Sequence, residues 1–353
     1  MKRHFAPVFC ALFAVLALLP LQPAAAQTSY SFQDLGPSGY NSFAYGVNDL
    51  GQVVGRVEVT NGANAVLWLP SPAYGLHAGM NTLKALAGYS DAQSINNSGE
   101  VVGNGGDGNA FLWLPEDRYS LSGGVNDLNT VLSRIGITTF HLMQAYKINA
   151  NHQVTGNARY LLNNTDHAYV LDLNTYTFTD LGASMTGKGI NNQAAPQVVG
   201  GSWMYSFFDS SYTSLSSLYA GSVNDAGEII GWTPSGGKNY PAYRNAAGTV
   251  TNLGSFGGSG GNAAAINNAG VNAAVVVGYA LTRQGIANAF RWQVGSAAKD
   301  NLNSLVSLPK GFTLWEALGI SDSGYIVGYG GGTISSGTNK GSSYYHAVLL
   351  TPQ

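Results

Sequence analysis

Hydrophobic and polar positions follow one pattern that returns along the whole chain. It reads aliphatic, Asn, Asn or Asp, any residue, Gly, any residue, two aliphatics, Gly. The first copy is Val47-Asn48-Asp49-Leu50-Gly51-Gln52-Val53-Val54-Gly55, and the second is Ile95-Asn96-Asn97-Ser98-Gly99-Glu100-Val101-Val102-Gly103. Val223 to Gly231 is a clean copy, and Ile320 to Gly328 closes the series with Ser321 in the Asn position. Three copies are weaker: Ile148, where His152 replaces the Gly; Ile190, with two residues inserted before Val198; and Ile266 to Gly278, with a longer insertion. Fixed-period self-similarity of this kind marks a repeat architecture.

Each copy has the same flanks. Three residues before the leading aliphatic stands a small residue: Ala44, Ala92, Ala145, Gly187, Ala220, Ala263 and Ala317. After a variable loop comes a run such as Asn64-Ala65-Val66-Leu67-Trp68, Asn109-Ala110-Phe111-Leu112-Trp113 or His346-Ala347-Val348-Leu349-Leu350. A last segment often ends in Asp/Asn-Leu-Gly, as in Asp34-Leu35-Gly36 and Asp180-Leu181-Gly182. The unit therefore has four short strands, A to D. Its A–B turn is Asn-Asn/Asp-x-Gly, because Asn and Asp bond their own backbone and Gly accepts positive φ.

Seven four-stranded units predict an all-β fold, a seven-bladed β-propeller. The chain ends favour a closed ring over an open β-solenoid. Tyr30 to Gly36 reads as a D strand with no A, B or C before it, and His346 to Leu350 reads as a C strand with no D after it. Pairing the N-terminal strand with the C-terminal one completes the seventh unit and removes a free edge.

Composition agrees. Of 353 residues, 10% are charged, 45% hydrophobic and 11% aromatic, with 47 Gly. Ordinary globular proteins carry about a quarter charged residues, so a salt-bridged helical protein or coiled coil is excluded, and the apolar content argues against disorder. Residues 1–26 have the parts of a secretory signal: Lys2 and Arg3, an apolar stretch from Phe5 to Leu21, and Ala24-Ala25-Ala26 for cleavage. An uncleaved anchor fits Pro20 and the alanines less well. The expected mature chain, 27–353, is one propeller domain with no membrane span. The only cysteine, Cys10, leaves with the leader, so no disulfide or thiolate site is expected. The formal charge of −2 becomes −4 once Lys2 and Arg3 are removed, and no basic stripe stands out, so nucleic acid is not an expected partner.

At these motifs the chain resembles the HAF family of extracellular repeat proteins, named for the His-Ala-Phe that opens strand C. The resemblance spans nearly the whole mature chain and is strongest from Asn301 to Gly328 and at Asn109 to Trp113. Two copies keep the His, His167 and His346, and none reads His-Ala-Phe. The resemblance implies a secreted or surface bacterial protein and implies no particular reaction.

Candidate chemistry is sparse. Gly103-Asn104-Gly105-Gly106-Asp107-Gly108 matches a dinucleotide fingerprint by letter, but a strand rather than a helix follows it, so it reads as a hairpin loop. Its resemblance to a calcium nonapeptide fails at Ala110. The repeated Asn/Asp pairs read as turn-formers rather than a functional ring, and His167 and His346 as strand-edge bonds. The histidines lack metal-ligand spacing, so no metal or other cofactor is expected. The tryptophans of strand C read as contacts between blades rather than sugar-stacking platforms. The best non-repeated polar group is Glu116-Asp117-Arg118, Arg134 and His141, whose spacing fixes no catalytic geometry. Variable loops on a rigid scaffold usually carry binding residues, and loop length varies most at the B–C connections, which include Gly330–Ser343, and at the D–A connections, which include Ser133–Gln144 and Ser255–Asn262. Arg134, His141, Tyr240 and Arg283 are therefore the candidate binding residues, placed on that face. The leading expectation is a secreted binding or scaffold module for a polysaccharide, envelope component or protein. The alternative is a propeller hydrolase or lyase acting on an extracellular polymer.

Overall fold

A computed structural model describes residues 29–83, 88–268, 274–333 and 343–353. The leader with Cys10 lies outside them. The described strands form seven antiparallel sheets of four strands each. Blade 1 uses Ser42–Val47, Val53–Val59, Gly62–Leu69 and Gly79–Thr82 as strands A to D. Blades 2 to 6 follow in chain order, with A strands Asp91–Ile95, Phe140–Ile148, Gly189–Ile190, Tyr219–Val223 and Gly257–Ile266. Blade 7 takes A, B and C from Thr313–Ile320, Ile326–Thr333 and Ser343–Pro352, and its D strand is Tyr30–Asp34. Tyr30 faces Pro352 and Asp34 faces Val348. The ring is closed by the two ends of the chain, as their complementary patterns predict.

The two adjacent aliphatics of the repeat have a simple cause. Neighbouring residues on a strand point to opposite faces, and each blade has a neighbour on both sides. Val53 packs into the seam between blades 7 and 1, and Val54 into the seam between blades 1 and 2. Ile229 and Ile230 divide in the same way between the seams of blade 5. The buried core is thus distributed over seven clusters, each between two successive blades. Trp113 and Trp292 lie in two of these clusters, and Trp68 packs against a third, so they fill contacts between blades.

The last Gly of the repeat is explained by a β-bulge. In six blades the A–B register skips one residue just after the small residue, for example between Ala44 and Gly46 and between Ala145 and Lys147. The bulge brings the carbonyl of the residue before that small position down onto the Gly. A Cβ on Gly55 would stand 1.9 Å from the Phe43 carbonyl oxygen, and one on Gly231 would stand 1.9 Å from that of Tyr219. The same collision recurs at Gly103, Gly156, Gly200, Gly278 and Gly328. The small residue opposite, such as Ala44 against Gly55, is buried where blades crowd toward the axis.

Three connections differ from the sequence reading. Residues 133–144 were expected to be a loop, but helix Leu128–Arg134 and strand Phe140–Ile148 occupy most of them. Leu128, Val131 and Leu132 are buried in the seam between blades 2 and 3, which pins the helix. Ser255–Asn262 and Gly330–Ser343 were also read as loops. Strand Gly257–Ile266 and strand Ile326–Thr333 extend into them, because Gly-rich sequence hid strands that pair through backbone alone. Residues 334–342 and the Val271–Ala273 part of the expected A–B insertion lie outside the described residues. Among the described residues no helix is long and apolar enough to cross a membrane.

Candidate functional site: the channel and its mouth

The A–B turns surround one end of the axial channel, and their polar side chains are occupied. The Asn48 amide donates to the Asn96 carbonyl, Asn96 to that of Asn149, and so on through Asn191, Asn224 and Asn267 to Ser321, at 2.9–3.2 Å. Each Asn also accepts from its own turn, as Asn48 does from the Leu50 and Gln52 N–H groups. The turn reading of these residues holds and is incomplete, since the same side chains also tie each blade to the next. The remaining space at this end is a cavity of about 130 Å³ ringed by these turns.

Outside that ring lies a polar cluster of blades 2 and 3. Glu100 is fully buried and receives Asn96 Nδ2 at 2.7 Å, Arg118 Nη1 at 3.0 Å and the Tyr119 hydroxyl at 2.7 Å. His152 Nδ1 meets Oε2, the oxygen that Asn96 also bonds, at 2.7 Å. His152 sits in the turn position that is Gly elsewhere, at φ +62°. The bonds from Asn96, Arg118 and Tyr119 stay within blade 2, the His152 contact crosses to blade 3, and together they occupy both oxygens of Glu100.

The expected polar group is not assembled. Of its members, Arg118 joins Glu100, while the Arg134 guanidinium donates to the Ser120 carbonyl at 2.7 Å and His141 Nε2 meets the Gly108 carbonyl at 3.2 Å. Ser120 belongs to a C–D connection, so helix Leu128–Arg134 carries Arg134 back toward the A–B side, away from the face on which it was placed. His141 does lie among the B–C and D–A connections, as do Tyr240, near the start of strand Lys238–Arg244 of blade 5, and the exposed Arg283 of a B–C loop. No hydrogen bond or ion pair joins any two of these four among the described residues. The other sequence readings are met locally. His167 Nδ1 meets Asp180 at 2.8 Å and His346 Nδ1 meets Asp34 at 2.9 Å, both C–D strand contacts. Gly105 and Asn109 close the expected hairpin at 2.8 Å.

The residues that sequence reasoning missed line the channel. The bulge turns one residue per blade inward: Tyr45, Gln93, Tyr146, Gly221, Ala264 and Leu318, with Lys188 in the equivalent place in blade 4. All seven line a cavity of about 280 Å³, together with Lys147, Ser222 and Asn262. The lining is lopsided. Blades 1 to 4 present Tyr, Gln, Tyr and Lys; blades 5 and 6 present Gly and Ala, which leave the space open. The Lys188 ammonium lies 3.5 Å from the Tyr146 ring centroid. Burial holds the Lys188 ammonium below its ordinary pKa, and burial does the same for Lys147, partly offset by Asp322.

Around the B–C/D–A mouth, at the seam of blades 7 and 1, aromatic rings gather about one guanidinium. Arg56 stands 4.7 Å from the Phe43 ring, 5.9 Å from Tyr45 and 5.2 Å from Tyr89. Its Nη2 bonds Glu58 at 3.2 Å, and its buried Nε has no partner. Phe43 contacts Tyr329 at 5.0 Å, and Trp315 contacts Tyr345 at 5.0 Å. Tyr89 and Tyr345 are 44% and 36% exposed, so the patch offers ring faces to a partner. Two carboxyls flank it. Burial pushes both Asp91 and Glu316 above the usual carboxylate range, with Asn104 and the Tyr329 hydroxyl as their respective bonded partners. A signal for these residues was present: stacking the seven A strands shows Lys147 as the only charged residue in a column otherwise made of Gly, Ala and Ser.

No protein-family model matches the chain, and no curated protein does. Solved structures do resemble it at low identity. The β-propeller domain of the trilobed protease from Pyrococcus furiosus, described as having an open velcro topology, is 9% identical over 92% of this chain and 97% of its own, with a TM-score of 0.49. TolB from Acinetobacter baumannii is 9% identical over 85% of this chain and 79% of its own, with a TM-score of 0.40. A puromycin hydrolase is 12% identical over 84% of this chain and 51% of its own, with a TM-score of 0.47.

Proposed function

We propose that this protein is a secreted repeat protein of the HAF kind that binds a polysaccharide through the B–C/D–A mouth. The observation that carries the reading is the patch of Arg56, Phe43, Tyr89, Trp315 and Tyr345. Sugar rings present flat C–H faces that stack on exposed aromatics, while hydroxyls take hydrogen bonds from amides and guanidinium groups. Phe43, Arg56, Trp315 and Tyr345 sit on strands, with Tyr89 in the connection just before strand Asp91–Ile95, and strand placement limits the entropy lost on binding. Export by the N-terminal leader supports an extracellular or surface ligand over a cytoplasmic metabolite.

Binding is tested by affinity electrophoresis of the mature chain in gels containing neutral polysaccharides, with a glycan array for identity. Tyr89→Ala and Tyr345→Ala each remove an exposed ring and are expected to weaken retardation about tenfold, the equivalent of ~1.4 kcal/mol. Unchanged retardation in both variants sinks the reading. A hydrolase is the second reading, supported by the raised pKa of Asp91 and Glu316 at the same mouth, since such tuning suits a general acid. Product release abolished by Asp91→Asn or Glu316→Gln favours it; saturable binding without product favours the module.

A further inference from the structure

We propose that the channel between Lys147 and Lys188 is a binding site for an oxyanion carried by a molecule the size of one sugar residue. Both lysines line the cavity of about 280 Å³, one from strand A of blade 3 and one from the start of blade 4. Neither forms an ion pair among the described residues. The six ion pairs of the described residues use Arg or His in every case. The undescribed segments contain no Asp or Glu, and among the described residues Asp322 attracts the Lys147 ammonium without forming an ion pair with it. The two lysines line one cavity, and an anion held there would pair with both ammoniums.

The repeat supplies the second argument. The position of Lys147 is Gly46, Ser94, Gly189, Ser222, Ala265 and Gly319 in the other blades. A long cationic side chain therefore stands where the fold elsewhere uses the smallest residues, so packing does not account for it. The facing wall, Gly221 and Ala264, leaves room for the ligand body. Gln93, Asn262 and the Tyr45 hydroxyl supply neutral polar groups for hydroxyls beside the anionic group. The inference stands apart from the aromatic patch and needs no polysaccharide to be correct.

Calorimetric titration of the mature chain tests it, with glucuronate, inorganic phosphate and a polyuronate chain as probes and glucose as the neutral control. Saturable glucuronate binding, weakened at least tenfold by Lys188→Met and by Lys147→Met, is the expected result. Ala264→Leu fills the open wall without touching either lysine and is expected to abolish binding while the protein stays folded by circular dichroism. Phosphate as tight as glucuronate supports the site with a free anion as its source; a polyuronate that binds tighter than the monomer supports an acidic glycan. Glucuronate no tighter than glucose, or indifferent to both lysine variants, overturns the proposal. Retardation by neutral polysaccharide that depends on Tyr345 is unaffected by that failure, so the two readings fall separately.

Discussion

The backbone N–H of Ser323 donates to the Asp49 carboxylate at 2.8 Å, joining residues 274 positions apart across the seam where the ring closes. The other seams use the repeat for this purpose. Asn97, for instance, accepts the Asp49 N–H at 2.9 Å and returns an amide bond to its carboxylate at 2.7 Å. At the closing seam Ser321 lacks the amide that would donate on to the Asn48 carbonyl, and Ser323 together with the Ser321 side chain bonds the Asp49 carboxylate instead. The ring of turns is therefore continuous although the seventh repeat lacks its Asn.

This relationship gives a pH-dependent prediction. Burial alone raises the Asp49 pKa, but bonds from Asn97, Ser323 and Ser321 outweigh it and hold the carboxyl below its ordinary value. A carboxyl depressed in the folded state adds stability above its unfolded pKa of 3.8. That contribution is lost as pH falls through the folded value. Asp49→Ala is expected to cost about 1 kcal/mol or more at pH 7. In urea titrations at pH 7 and near pH 2, the gap to the parent protein should shrink at the lower pH. An equal gap at both would show that the ionised form is not what holds the seam.

Removing residues 29–36 takes away the D strand of blade 7. Tyr30 and Leu35 are both buried, and Phe32 packs edge-on against Phe312 at 5.1 Å. Burial of three such side chains is worth several kcal/mol, at ~1.5–3 kcal/mol each. The truncated chain is expected to melt well below the parent, in one transition, because an open seam weakens both adjoining blades. Matching melting curves would mean that the ring does not depend on this strand.

The bulge makes a sharper test, because two glycines 10 positions apart in blade 5 should behave in opposite ways. A Cβ on Gly231 meets the Tyr219 carbonyl oxygen at 1.9 Å, whereas the nearest atom to one on Gly221 is 4.0 Å away. Gly231→Ala forces strands A and B apart and is expected to destabilise by ~3 kcal/mol or more. Gly221→Ala adds a methyl to the channel wall and should be nearly neutral. Equal effects on denaturation midpoints would refute the bulge geometry.

The fold was legible because its signals are local and repeated: paired aliphatics for two seams, Asn-x-x-Gly for a turn, complementary ends for closure. Strands such as Gly257–Ile266 were not, since glycine-rich strands pair through backbone atoms and carry no side-chain alternation. The candidate site was harder for a physical reason. The bulge, not strand periodicity, decides that Tyr45, Tyr146 and Lys188 face the channel, and a bulge leaves only a Gly in the partner strand as its trace. Arg134 and Arg283 stand out as loop candidates, while the residues that converge in the aromatic patch lie on strands A, B and C, with Tyr89 alone from a connection. Arg134 was placed on the wrong side because the helix that reverses its direction has no repeat counterpart to reveal it.

Lys147 allows the last prediction, on stability rather than binding. Its neighbours in the channel are Lys188, Tyr146 and, toward the A–B end, Asp322. Burial disfavours its ammonium in the folded state, and the attraction of Asp322 only partly compensates, so its folded pKa lies below the ordinary 10.5. For a base with a depressed pKa the sign is unfavourable. The charged form penalises folding at every pH below the folded value, the penalty shrinks as pH rises between the two values, and it is gone above 10.5. Lys147→Met keeps the bulk and removes the charge. In a buffer without multivalent anions it is expected to raise Tm at pH 7, and the gain should fade as the pH approaches ~10.5, the unfolded value. Added glucuronate or phosphate should stabilise the parent and not the variant. A variant that melts lower than the parent at pH 7, under the same anion-free conditions, would mean that the ammonium has a partner inside the protein.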